Sequence, residues 1–169
     1  MTAVQESTPP LPQRRPFATA TGVVVACVLL GAAGGLITAP QIEAWYLTIE
    51  KPAFTPPNWV FGPVWTLLYA LQGVAAWLLW RAGVDNRTVR RALGLFVIQF
   101  ILNLAWSPAF FGLESPLLGL IVIIPLWFAI VGTIAISWRV DRRASLLLSP
   151  YLAWVSFATA LNYTIWMLN

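Results

Sequence analysis

Residues 116–138 read PLLGLIVIIPLWFAIVGTIAISW, 23 residues from Pro116 to Trp138 without an Asp, Glu, Lys or Arg. About 20 helical residues cross the ~30 Å hydrocarbon core of a bilayer, so this stretch is long enough to span it. Four further runs share its character: Phe17–Thr38, Trp59–Trp80, Ala92–Phe111 and Leu146–Leu168, none of which contains a charged side chain. The strands of a membrane barrel would alternate in polarity over about ten residues, and these runs are continuous. The fold class is therefore all-α, a polytopic membrane protein built as a five-transmembrane-helix bundle. Residues 17–169 form one domain, and residues 1–16, rich in proline, are expected to be a mobile tail.

The rest of the composition agrees. The 169 residues are 59% hydrophobic and 9% charged, whereas ordinary soluble chains are about 25% charged. Soluble and disordered classes are both excluded. Histidine is absent, Cys27 is the single cysteine, and the methionines are Met1 and Met167. Zinc sites, His-ligated haem and Ser-His-Asp or Cys-His catalysis lose their usual residues, so no metal site is expected. Cys27, mid-span, reads as a small buried hydrophobe.

The basic residues set the orientation. Arg14 and Arg15 precede the first span; Arg81, Arg87, Arg90 and Arg91 lie in the second connection; Arg139, Arg142 and Arg143 lie in the fourth. Only Lys51 falls on the other side. By the positive-inside rule the N-terminus is cytoplasmic and the C-terminus outside, in a membrane read as a bacterial inner membrane. These juxtamembrane arginines also account for the net charge of +4, so no nucleic-acid partner is inferred from it. Arg14-Arg15 before an apolar run resembles a twin-arginine export signal. The run is longer than a signal-peptide core, and we read it as a retained span.

No ionisable group lies within the five runs, which argues against a proton pump or a charge-coupled carrier. There is no GxxxxGK loop to hold ATP. The interior offers aromatic rings and neutral amides instead. Gln99, Asn103 and Trp106 recur at i, i+4 and i+7 with Ser107 beside them, and Tyr151, Trp154, Ala158 and Asn162 keep a similar spacing. Phe61, Trp65 and Tyr69 form a third stripe. If these faces converge, they enclose a pocket with flat walls and a few neutral hydrogen-bonding groups.

Other readings compete at each position. Trp59, Trp80, Trp138 and Trp166 sit at span ends, where an interfacial belt places tryptophan. Trp65 and Trp154 lie deeper, ~9 and ~12 Å into their spans at 1.5 Å per residue, where core packing is the alternative. Gln99 and Asn103 suit a pocket or a bond between helices equally. Gly31 and Gly35 form a GxxxG pattern suited to close packing, within the bundle or between protomers. The first connection, about Ala39–Asn58, carries Ile42, Trp45, Tyr46 and Ile49 at helical spacing, then Pro52, Pro56 and Pro57. It reads as a short amphipathic helix and a stiff return, either a lid over the outer mouth or a segment lying on the headgroups.

Three blocks carry a family resemblance. They are Trp45-Tyr46 … Lys51-Pro52 … Pro56-Pro57-Asn58-Trp59-Val60-Phe61-Gly62-Pro63-Val64-Trp65 … Tyr69; Gln99 … Asn103-Leu104-Ala105-Trp106-Ser107-Pro108-Ala109-Phe110-Phe111-Gly112; and Pro150-Tyr151-Leu152-Ala153-Trp154 … Phe157-Ala158-Thr159 … Leu161-Asn162-Tyr163. In order and spacing they resemble the translocator protein family (TspO/MBR, tryptophan-rich sensory proteins), over nearly everything after residue 17. The resemblance implies a five-helix membrane protein, commonly a homodimer, that binds porphyrins such as protoporphyrin IX and needs no cofactor. It implies a pocket closed by the loop bearing Trp45 and Tyr46 and lined at Trp65, Asn103, Trp106, Trp154 and Ala158. Trp65 and Trp154 match tryptophans implicated in light-dependent porphyrin breakdown, a photo-redox role. Animal members carry a proposed cholesterol motif with a Lys or Arg a few residues after Tyr163; Thr164–Asn169 has none.

Three functions follow as expectations. The first is tetrapyrrole binding, with Trp45, Tyr46, Phe61, Trp65, Tyr69, Gln99, Asn103, Trp106, Trp154 and Ala158 as ligand-binding residues and light- and oxygen-dependent degradation as the chemistry. The second is a passive carrier or sensor of tetrapyrroles or other hydrophobic ligands. The third is a structural membrane partner with no saturable ligand.

Overall fold

The computed structural model describes residues 16–169. The tail, with Arg14 and Arg15, lies outside the described residues. Five long helices dominate: α1 (Pro16–Gln41), α2 (Phe61–Arg81), α3 (Arg87–Ser107), α4 (Pro116–Ser137) and α5 (Arg142–Leu168). All five are long and apolar enough to cross a membrane. Around the bundle, α1 packs on α2, α2 on α5, α5 on α4, α4 on α3, and α3 returns to α1.

Helix starts differ most from expectation. The third helix begins at Arg87, not Ala92, because the Asn86 side chain caps it, accepting from the Thr88 amide at 2.8 Å. The fifth begins at Arg142, not Leu146, because Asp141 accepts from the Arg143 amide at 2.9 Å. Arg87, Arg90, Arg91, Arg142 and Arg143 are thus helical, in the first turns. A run of apolar residues marks where lipid begins, while a cap marks where helix begins, and the two need not coincide. The Arg143 side chain bonded to Asp141 holds that carboxyl below its ordinary range. Its contribution to stability is present above the ordinary carboxylate pKa and is lost as pH falls through the lowered one.

The first helix continues past Thr38, through Pro40, to Gln41. There it widens into a π-helical turn, Ile42–Tyr46. Proline lacks the N–H and crowds the preceding turn, which accounts for the loosened ladder around it. After α2, Gly83 at φ +101° turns the chain in the left-handed region that glycine tolerates. The third span likewise ends in a π-helical turn, Pro108–Gly112.

The two ends of the bundle are packed differently. Toward the arginine-bearing end small aliphatic residues pack closely, with Ala75, Leu79, Ala92 and Ala144 wholly buried and Cys27, Phe96 and Phe100 in the same cluster; Cys27 is buried as expected. Toward the other end it is aromatic, formed by Tyr46, Phe110 and Phe111 with Leu161 and Ile165. Leu29, Ile101, Ile121 and Phe128 point outward and are more than half exposed, as suits a bundle whose solvent is lipid.

Candidate functional site

The aromatic stripes of α2, α3 and α5 do converge. They meet in the half of the bundle away from the arginine-bearing end, around a cavity of about 350 Å³, completed by α1 and the π-helical turn after it. Among the sequence candidates, Tyr46, Phe61, Trp65, Tyr69, Asn103, Trp106, Trp154 and Ala158 line it.

The floor is a hydrogen-bonded pair. The Tyr69 hydroxyl donates to Asn103 Oδ1 at 2.6 Å, and both side chains are buried. Trp65 stacks on Tyr69 with ring centres 5.5 Å apart and 28° between planes, so its face is fixed by the ring below it. Trp65 also meets Tyr151 edge-on at 6.3 Å, and Phe61 meets Trp154 edge-on at 5.9 Å. Such ring pairs contribute roughly 0.5–1.5 kcal/mol each beyond simple burial. The roof comes from Trp106, stacked on Phe110 at 5.2 Å, and from Tyr46, which is only 4% exposed.

Most polar groups here are already partnered. Trp106 Nε1 donates to Asn162 Oδ1 at 3.2 Å, and Asn162 Nδ2 donates to the Pro116 carbonyl at 2.8 Å, tying α3, α5 and α4 together. Thr38 and Ser107 bond through their hydroxyls, joining α1 to α3. Two donors are left over here: the indole N–H of Trp154, which lines the cavity, and the hydroxyl of Tyr151, which lies behind Trp65, are buried with no hydrogen-bond partner among the described residues. A buried donor in that state costs free energy until something accepts from it. No charged side chain is among the described residues lining the cavity, and these residues contain no cluster of His, Cys, Asp or Glu able to hold a metal.

Two candidates lie off the cavity. Gln99 sits one turn below Asn103, 1% exposed, and its amide donates to Gln72 Oε1 at 3.2 Å, a bond between α3 and α2. Trp45 points away behind the lid and packs edge-on against Phe110 and Phe111 at 5.5 and 6.5 Å. It sits on the π-helical turn beside Tyr46, and only Tyr46 reaches the cavity.

Sequence reasoning missed α1. Gly31, Gly35 and Thr38 line the cavity, spaced i, i+4 and i+7 like the stripe on α3. That periodicity was available, but glycine advertises a surface by lacking a side chain. Gly31 also resolves the GxxxG question in part: a Cβ there would lie 2.1 Å from the Tyr69 ring, so it packs within the bundle.

The Asn162 amide gives a direct test of this architecture. Asn162→Leu leaves the Trp106 N–H unpaired and removes the bond to the Pro116 carbonyl, and we expect a loss of about 1–3 kcal/mol in stability. Thermal unfolding in detergent measures it; an unchanged midpoint would mean that the amide ties nothing together.

Residues 23–167 match the model of the TspO/MBR family. The chain is 47% identical to the tryptophan-rich protein TspO of Archaeoglobus fulgidus, over 86% of this chain and 94% of that protein. It is 36% identical to the human translocator protein, over 91% of this chain and 92% of that protein. To the tryptophan-rich sensory protein of Cereibacter sphaeroides it is 32% identical, over 86% and 88%.

Proposed function

The chain belongs to the TspO/MBR family of integral membrane proteins, and from that premise we propose that it binds tetrapyrroles such as protoporphyrin IX in the aromatic cavity of its bundle. The observation that carries this reading is the lining itself: rings from α2, α3, α5 and the first connection face one space, and among the described residues no charged side chain lines it. Flat apolar molecules gain most from such walls, and the Trp154 N–H offers one directed donor to an acceptor on the ligand. A volume of about 350 Å³ lies at the small end of the roughly 300–1,000 Å³ usual for ligand sites. A tetrapyrrole macrocycle would therefore insert one edge and leave its carboxylates outside the ring-lined space. The chain has no histidine and Met167 is exposed at the end of α5, off the cavity, while the Tyr69 hydroxyl is already committed to Asn103, so the usual His and Met axial ligands are not offered. Metal-free porphyrin should bind at least as well as haem.

Light-dependent degradation is the chemistry that fits. Excited porphyrin takes one electron from the indole of Trp65 or Trp154 and hands it to O₂ as superoxide. The indole radical takes an electron back from the porphyrin, and superoxide adds to the resulting porphyrin radical cation and opens the macrocycle. Alternatively, the excited dye passes its energy to O₂ and singlet oxygen adds to it directly. The protein's part is to hold an oxidisable ring in contact with the dye. Passive carriage or sensing without chemistry is the second reading, favoured by a cavity that is not sealed on all sides.

Orientation and assembly complete the proposal. The antiparallel order brings Arg81, Arg87, Arg90, Arg91, Arg139, Arg142 and Arg143 to one end of the bundle and Lys51 to the other, and the arginine-rich end faces the cytoplasm of a bacterial cell. The protein works as a homodimer, whose existence light scattering would check.

Tryptophan-fluorescence quenching on titrating protoporphyrin IX in the dark tests binding. We expect saturable quenching that weakens in the Trp65→Phe/Trp154→Phe variant. Non-saturating quenching, identical in both proteins, would mean that the rings only pack.

A further inference from the structure

We propose that the cavity exchanges its ligand sideways with the outer half of the bilayer, through a slot between α1 and α2, and not through the outer mouth. The inference rests on the binding reading above. Its first support is where the cavity meets the outside. Among the described lining residues, those that are exposed are Ala32, Gly35 and Ala39 on α1 and Asn58, Gly62 and Thr66 on α2 and the turn leading into it. No exposed lining residue comes from α3, α5 or the π-helical turns.

The second support is how α1 and α2 diverge. At the cavity floor and below it they touch: a Cβ on Gly31 would lie 2.1 Å from the Tyr69 ring, and one on Gly73 would lie 2.6 Å from the Val24 Cα. Farther out the contact ends. A Cβ on Gly35, one turn beyond Gly31, or on Gly62, two turns beyond Tyr69, would meet nothing within 4 Å. The pair forms a V with its apex at the cavity floor and its open end in the outer leaflet.

The third support is that the other sides are closed. Thr38 and Ser107 bond across α1 and α3. Edge-on rings close the junction of α2 and α5. The lid is latched over the outer mouth. Lys51 Nζ donates to the carbonyls of Tyr46 and Ile49 at 2.6 and 2.7 Å. Asn169 both accepts from the Glu50 amide and donates to the Glu50 carbonyl, at 3.0 Å each. The two Lys51 bonds stiffen the lid itself, and opening the mouth would break the two Asn169 bonds to α5 and unpack Tyr46 from Phe110 and Phe111. The lateral slot needs neither. The ligand class follows: molecules that dissolve in the membrane first, flat enough to pass between two helices.

The test measures exchange rates of protoporphyrin IX by stopped-flow quenching, with the full chain in lipid nanodiscs. Gly35→Leu and Gly62→Leu add bulk where there is open space, so both should fold, as thermal melting would verify. In each we expect association and dissociation to slow together, by about tenfold, the equilibrium constant moving less than either rate. Lys51→Met, which loosens the lid's own fold, and Asn169→Ala, which unties it from α5, should leave both rates as in the wild type. In the wild type the association rate should follow the porphyrin's mole fraction in the lipid. Faster exchange in the lid variants with none of the slowing in the slot variants would overturn the proposal, and so would a rate that follows aqueous concentration alone. Failure of the binding reading looks different: the wild type would show no saturable quenching at equilibrium.

Discussion

With Trp65 and Trp154 both replaced by phenylalanine, bound protoporphyrin IX should survive illumination in oxygenated buffer. Phenylalanine keeps an apolar face, and the packing of Trp65 on Tyr69 and of Trp154 on Phe61 leaves room for the smaller ring. What the substitution removes is the easily oxidised indole at both positions that face the cavity from α2 and α5. At matched occupancy, set by raising the porphyrin concentration, we expect breakdown to slow by an order of magnitude or more, roughly 1.4 kcal/mol or more on the barrier. Trp138→Phe and Trp166→Phe are the controls, since both rings are largely exposed and lie off the cavity. The absorbance of the porphyrin band under fixed light reads the rate. Equal decay in the double variant and the wild type would end the redox role of these two residues while leaving binding untouched.

The second large effect concerns the apex of the V. Gly73→Ala places a methyl group 2.6 Å from the Val24 Cα, a backbone atom that moves only if helix α1 moves. Overpacking of this kind costs about 1–3 kcal/mol, against the ~1 kcal/mol that alanine gains over glycine in a helix. The clash wins, and the melting temperature in detergent should fall. Gly35→Ala is the matched comparison, because its Cβ meets open space and only the propensity gain remains. The two glycines therefore respond with opposite signs to the same chemical change. If both variants melt alike, α1 and α2 do not touch where Gly73 and Val24 place the contact.

Much of the site was legible because its parts are periodic. Phe61, Trp65 and Tyr69 on one helix, Asn103 and Trp106 on the next, and Trp154 and Ala158 on a third mark faces by spacing alone, and those faces meet. Gln99 shares the stripe of Asn103, and periodicity cannot separate them. One turn of axial height puts Asn103 at the cavity floor and Gln99 against Gln72. Trp45 and Tyr46 are neighbours in sequence and lie on different sides of a π-helical turn. Pro40 just upstream marks an interrupted ladder, but nothing in the segment says which of the two rings the widened turn brings inward.

The sequence by itself determined the solvent, the number of spans, their antiparallel order and the polarity of the two ends. These follow from one-dimensional quantities: the length of each uncharged run and the placement of the arginines beside it. Tertiary structure alone decided which amide faces the cavity, which indole N–H is left without an acceptor, and where the bundle opens. The reason is physical. A lipid-facing helix and a helix-facing helix are both apolar, so hydrophobicity does not distinguish inside from outside, and close approach is governed by glycines such as Gly31 and Gly73, whose partners exist only once the helices have packed.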